Sequence, residues 1–517
     1  MAVGERTAVV SGEGPSGGTG PDAGSTTATP RIAIQAVAGG LTLLDRLRRL
    51  WAAGYWTTPR RVRALTAAVL AALLLMIGLT ASLLTGARDS VDEIGHGTAP
   101  QAERAADLYF ALGDMDAQAA NLLLVGADSQ HAGQRDGVHH TYEQRRAQAD
   151  SDLEQATEAV GGSAAARQAA RTELDALGQY EGLVARMDEQ EGAAKAGPGH
   201  PPADALATYR QATDLLRTQL MPGADQVAKS NADAVDQRYA DERSALGSGF
   251  WELLGSGLLV LIAIAVLQRT LAVRYRRLLS PPLLLAGVLA LAGLIWAVTL
   301  TSGTSDRLHT AKVDAYDSVL SLGRAQAVAY DSNADESRWL VDPERAGQYQ
   351  QSFLDKSQQI AGFDGIADYS GYLPRLSGAV NAHHTSAGEV DFRGYLGDEL
   401  RNITFPGEQQ AADKLLDDYL TYQQDDAKIR DLNGQGKLAD AITFDTGTNP
   451  GQSDGDFTVL SNDFDTVIGI NQQAFHQAVS QSDDDLGAGS AAGLGVLGAG
   501  ALVLAVLAVR PRLREYR

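Results

Sequence analysis

The 517-residue chain contains no cysteine, which removes disulfides, thiolate zinc sites, cysteine nucleophiles and cysteine-ligated iron–sulfur clusters. It is also short of positive charge: 43 Lys and Arg stand against 64 Asp and Glu, a formal net charge of −21. A nucleic-acid binder needs a basic face to neutralise phosphates, so that class is disfavoured and no nucleic-acid partner is expected. No HExxH occurs. The pairs His139-His140 and His383-His384 would point about 100° apart on a helix, poorly placed to share one ion. They read as solvated histidines. Asp454-Gly455-Asp456 and Asp483-Asp484-Asp485 lack calcium-loop spacing and read as solvated acidic faces. No nucleophile–base–orienter set or phosphate loop can be assembled. The chain reads as a non-enzyme without catalytic residues, metal or cofactor.

Its mean hydropathy of −0.15 hides a segregation of apolar residues. Four runs, 64–86, 250–268, 282–301 and 487–509, are long enough to cross ~30 Å of hydrocarbon, which takes about 20 helical residues. The first begins too far along the chain and is too long for a signal peptide, so it reads as a retained anchor. The spans carry almost no ionisable residue, with Glu252 at a boundary, which argues against an ion-coupled transporter. Gly493, Gly495 and Gly498 spell GxGxxG, but inside a span with no strand before it, so it is not a nucleotide fingerprint. Gly489-xxx-Gly493, Gly495-xxx-Ala499 and Gly293-xxx-Ala297 instead suit close packing of spans.

Arginines flank one end of every span. Arg46, Arg48, Arg49, Arg60, Arg61 and Arg63 precede the first; Arg269, Arg274, Arg276 and Arg277 lie between the second and third; Arg510, Arg512, Arg514 and Arg517 follow the fourth. The positive-inside rule then puts both termini and the 269–281 loop in the cytoplasm. The acidic segments 87–249 and 302–486 fall outside. A tail to residue 30, rich in Gly, Ser, Thr and Pro, should be disordered. Residues 31–63 alternate Leu41, Leu44, Leu47 and Trp51 with Arg46, Arg48 and Arg49, as in a basic amphipathic helix that lies on lipid or docks a partner. Both uses stay open for Arg46, Arg48, Arg49, Arg274, Arg276 and Arg277.

Both outer segments read as helical bundles, making an all-α membrane protein with four transmembrane helices and two tandem four-helix-bundle-like domains. Ala105, Leu108, Leu112, Met115, Ala119 and Leu122 share one helix face, with Arg104, Asp107, Asp114 and Asp116 between them. Further helices cover about 135–160, 164–194 and 203–247, with Pro222-Gly223 expected to kink or split the last. Leu220, Val227, Asn231 and Ala234 match Leu460, Val467, Asn471 and Ala474 at one constant offset, which suggests an internal duplication. Asn231 and Asn471 sit at heptad-like core positions. A buried Asn fixes register; pocket lining and plain exposure remain alternatives. The second segment carries an insertion near 362–405, and long insertions often hold binding function.

Span–bundle–span resembles the sensor half of bacterial chemoreceptors, except that no kinase or methyl-accepting hairpin fits the inner segments, so any signalling chemistry should belong to another polypeptide. The four-pass layout, the stretch RLRRLWAAGYWTTPRRVR and the LGxG re-entry at Leu246–Gly249 and Leu486–Gly489 resemble the GlnX-type membrane proteins of actinobacteria. That resemblance implies a signal relay concerned with amino-acid sensing, with an extracytoplasmic amino-acid-binding lipoprotein and the cytoplasmic Ser/Thr protein kinase G as partners. It assigns no ligand residue. Membrane lipids and a second copy of the chain are further candidate partners. A scaffold of an envelope complex and a stand-alone small-molecule receptor are the alternatives.

Overall fold

The computed structural model describes residues 58–159, 164–275, 280–386 and 389–514. Among them no strand forms; helices are joined by short turns, with one isolated antiparallel bridge between Gly362 and Arg393. Four helices are long and apolar enough to cross a membrane: α1 (Thr58–Asp92), the far part of α6 (Met221–Tyr275), the start of α7 (Pro281–His309) and α15 (Ala488–Arg514). Leu74, Leu258, Ile262, Val288, Ile295 and Val503 are exposed on them, as lipid-facing side chains must be. The protein is an all-α, multi-pass membrane protein.

Glycines let the spans approach. A Cβ at Gly493 would strike the Trp296 ring, one at Gly257 would strike Leu294, and one at Gly498 would strike Ile77. Gly489 and Gly495 meet nothing within 4 Å, so only part of the small-residue pattern is used for packing.

Three of the spans' helices continue into the polar segments without a break, through π-helical turns or none. After α1 comes a π segment at Glu93–Thr98, where the Ala99 N–H reaches back to Ile94 O; after α7 comes one at Thr310–Tyr316, where the Asp317 N–H reaches Lys312 O. A third, Leu216–Leu220, precedes α6. Two of the three lie just before a proline, Pro100 and Pro222. Proline lacks an N–H and its ring crowds the preceding turn. Widening that turn relieves the clash. Pro222 therefore neither splits nor ends its helix. At the fourth span Gly487 separates α14 (Ser453–Leu486) from α15.

The first bundle is built from α2 (Ala99–Val125), α3 (Ala132–Ala159), α4 (Ala164–Ala194), α5 (Ala203–Leu215) and the start of α6. Leu108, Leu112, Met115, Ala119 and Leu122 line its core, as their period requires. The second uses α8 (Asp317–Val341), α9 (Ala346–Ile360), α12 (Glu408–Gly434) and α14, with three shorter helices, α10 (Tyr369–Thr385), α11 (Tyr395–Arg401) and α13 (Leu438–Asp445). The 362–405 insertion is thus largely helical. Tyr372, Leu376, Phe392 and Leu396 from it are core residues, so it cannot be removed without opening the bundle.

The described residues from Leu65 onward form one compact unit. The most extensive packing is between α2 and α8, the first helix of each bundle. They run parallel, since Ala106 faces Gly323, Gly113 faces Ala327 and Asp331, and Asn121 faces Ser337. Leu340, Val341, Ile442 and Phe444 of the second bundle complete the first bundle's core. A membrane-proximal cluster of Val91, Ile94, Val235, Leu308, Tyr316 and Phe475 joins both halves again below.

Candidate functional site

Charge is buried in the α2–α8 seam. Arg338 and Asp116 are both fully buried and form an ion pair across it. Arg338 Nη1 also donates to Asp335 at 2.5 Å and Asp331 at 3.2 Å. Lys356 of α9 donates to both of those carboxylates at 2.6 Å. From the first bundle, Tyr180 donates its hydroxyl to Asp116 at 2.9 Å, Thr213 at 3.2 Å and Tyr209 at 3.4 Å. Burial alone would raise the Asp331 carboxyl, but Lys356 and Arg338 outweigh it and hold it below the usual carboxylate range. Burial opposes the charge on Arg338, yet Asp116, Tyr209 and Asp335 keep it firmly protonated. A network so deeply buried is costly unless every member is satisfied. Here satisfaction needs side chains from both bundles.

Further contacts bridge the bundles around this network, arginine pairs among them. Arg210 pairs with Asp342, and Arg345 donates to Asp214 at 3.0 Å.

Below the network, between it and the membrane-proximal cluster, the seam opens into a cavity of about 430 Å³. α2 contributes Tyr109, α8 contributes Arg324 and Asp331, α9 Gln359 and α11 Tyr395; Arg217 and Asp225 come from the chain around the third π segment. Arg217 donates to Ser352 at 2.7 Å.

Of the residues singled out in sequence, Asn471 is fully buried. Its amide donates to Glu408 Oε1 at 2.7 Å and to Val467 O at 3.1 Å. The other Glu408 oxygen accepts the backbone N–H of Thr404 and of Phe405. Glu399 lies beside this group; burial, reinforced by Glu408, pushes its carboxyl up to about 7. Asn231 is only half-buried and reaches Gln101 O at 3.4 Å. The two asparagines therefore occupy different environments. Arg46, Arg48, Arg49, Arg276 and Arg277 lie outside the described residues, as does the side chain of Arg274.

Three readings of polar residues change. His383 is buried, with Nε2 2.8 Å from Asp413 and Nδ1 3.2 Å from Glu389 O. His384 stays exposed beside Asp417. Asp454 is partly buried, and burial, with the Asp114 charge, pushes it up to about 7. Asp114 and Asp116, expected on a polar face, are buried because α2 is covered by α3, α6 and α8 together. The apolar run from Ala117 to Val125, broken by few polar residues, was the available sign of a helix buried all round. Among the described residues no group of three or more His, Asp or Glu is placed to hold a metal ion.

The fold and its buried seam define a multi-pass helical membrane protein whose two bundles are joined by charge. Residues 90–240 match a family model described as an actinobacterial sensor domain. The match begins just before the first π segment, covers the whole first bundle and stops within α6, short of the second span. It supports an actinobacterial sensor-type protein with a sensing role. No curated protein and no solved structure matched the chain.

Proposed function

We propose that this protein is a signal-relay component of the cell membrane. It receives an extracytoplasmic cue through its paired bundles and passes it to a separate cytoplasmic Ser/Thr kinase. The observation that carries the reading is continuity. The helices that meet at the Asp116–Arg338 pair, α2 and α8, are extensions of the spans α1 and α7 through their π segments. A shift at the seam is thereby tied to a shift in the spans, because packed helices switch between arrangements more readily than they compress. The sensor-domain match over 90–240 agrees with a receiving role for the first bundle. The arginine flanks, by the positive-inside rule, favour termini and a 269–281 loop on the cytoplasmic side. There Arg274, Arg276 and Arg277, with Arg46, Arg48 and Arg49, would offer positive charge to a kinase or to anionic lipid. The recurring order of span, bundle and span fits an internal duplication, and the resemblance to GlnX-type proteins suggests an amino-acid-binding lipoprotein as donor of the cue.

The test is cross-linked capture of the tagged full-length protein from its native membranes, with the kinase's substrate phosphorylation followed in parallel. The relay predicts recovery of an extracytoplasmic solute-binding lipoprotein and a Ser/Thr kinase. It also predicts that neutralising Arg274, Arg276 and Arg277 lowers kinase recovery and changes phosphorylation. Capture of envelope-assembly proteins alone, with phosphorylation unchanged when the protein is absent, would favour a scaffold.

A further inference from the structure

The seam cavity has a mixed wall of apolar side chains, two carboxylates and several hydrogen-bond donors, and some of those donors lack acceptors. Arg324 makes no hydrogen bond and no ion pair among the described residues, and its Nε is buried without a partner. The side chain as a whole is only partly buried, and a donor left without a partner on the wall is open to an acceptor that a ligand brings in. Across the cavity Arg217 uses one nitrogen on Ser352, which leaves donors of its fixed fork free. The hydroxyls of Tyr109 and Tyr395 also have no hydrogen-bond partner among the described residues. Burial pushes both phenols up, so they remain donors at any physiological pH.

The carboxylates nearby do not answer this demand. Asp331 is committed to Lys356 and Arg338. Asp225 is exposed and forms no ion pair among the described residues. The rest of the wall is the Gln359 amide and an apolar surface that includes Ala106, Met221, Ala327 and Val328. Two guanidiniums and two phenols around an apolar wall suit an anion attached to a short carbon skeleton. The volume, about 430 Å³, falls within the range of small-molecule sites.

We propose that the cavity between the bundles is a binding site for a small organic carboxylate, held by Arg324 and Arg217 and donated to by Tyr109 and Tyr395. The ligand would touch both bundles at once, through Arg217 and Tyr109 on one side and Arg324 and Tyr395 on the other. Its binding energy therefore bears directly on how the bundles are set against each other. The site does not depend on the kinase relay; it would bind whichever cytoplasmic partner reads the spans.

Full-length protein in detergent provides the test, by calorimetric titration and thermal unfolding. The probes are succinate, L-glutamate and citrate, with inorganic phosphate and chloride as inorganic controls. The expected result is saturable binding of at least one carboxylate, with a rise in Tm, and weaker or no binding of the inorganic anions. Arg324→Gln should weaken that binding by about tenfold or more. Arg324→Lys, which keeps the charge but not the fork, should recover part of it. Since Arg324 makes no hydrogen bond and no ion pair among the described residues, its neutralisation should not lower the ligand-free Tm, which separates lost binding from lost folding. Three results would overturn the proposal: no carboxylate binding up to about 10 mM, equal binding of phosphate and carboxylates, or binding unchanged in Arg324→Gln.

Discussion

The two bundles bring unequal shares to the seam they build. The first supplies one carboxylate, Asp116, and the hydroxyls of Tyr180, Tyr209 and Thr213. The second supplies both cations, Arg338 and Lys356, and two more carboxylates, Asp331 and Asp335. Apart, the first bundle would hold a buried carboxylate with no cation and the second would hold Arg338 without its nearest partner. The family match covers only the first bundle, yet that bundle's core is finished by Leu340, Val341 and Phe444 of the second. The difference teaches that the bundles, although consecutive in the chain, are one folding unit.

The largest expected effect comes from breaking that asymmetry at its centre. Arg338→Leu leaves Asp116 and Asp335 buried without their arginine, and it should destabilise the protein by about 3–5 kcal/mol. Arg345→Ala removes a more exposed bridge to Asp214 and should cost less than about 1 kcal/mol. Denaturant unfolding of the two variants in detergent measures the contrast. Similar losses for both would mean that burial of the seam charge is not what joins the bundles.

The two asparagines sharpen the comparison at a middle scale. Asn471→Ala strips Glu408 of a buried donor and should cost about 1–3 kcal/mol. Asn231→Ala should stay within about 0.5 kcal/mol, as a half-exposed site does. Equal costs in the same unfolding assay would restore the equivalence that their sequence positions suggest.

Glu399 gives a smaller, pH-dependent effect. Its carboxyl is raised to about 7 in the fold from an ordinary 4.5. The stability it contributes is therefore fully present below the ordinary value and fades as pH rises through about 7. Glu399→Gln keeps a neutral group there at every pH. The variant should gain on the parent between about pH 5 and about pH 8, by roughly 1–3 kcal/mol at the upper end. Several other carboxyls shift in the same direction, including Glu191 and Asp425, so the difference between the two proteins is the quantity to follow. A pH-independent difference would remove Glu399 from the account.

The sequence makes the spans, the helical bundles and the core face of α2 legible, because period and length alone dictate them. Leu108, Met115 and Leu122 sit where that pattern puts them. The seam was not legible. Asp114 and Asp116 recur among apolar residues like ordinary surface charges, and only knowing that α2 is covered by three helices reveals them as buried. Arg338 and Lys356 belong to separate helices whose contact is a tertiary fact. The 362–405 stretch misled for a related reason: Gly362, Gly365 and Gly394 lie between short helices, but Gly371, Pro374 and Gly378 lie within α10, whose Tyr372 and Leu376 point into the core. Pro222 was read as a break because the π turn that accommodates it leaves no mark in the residue pattern.

The bundles are held side by side along α2 and α8. A disulfide across that seam tests this arrangement most directly, in a chain with no cysteine to interfere. A Cβ at Gly323 would lie 3.5 Å from the Ala106 Cβ, within the range that a disulfide requires. The variant carrying Ala106→Cys and Gly323→Cys should form an intramolecular disulfide on mild oxidation in native membranes. A protease cut between the bundles should then leave the two fragments linked until reduction. Fragments that separate without reduction, or links formed only between two copies of the chain, would contradict the paired-bundle account.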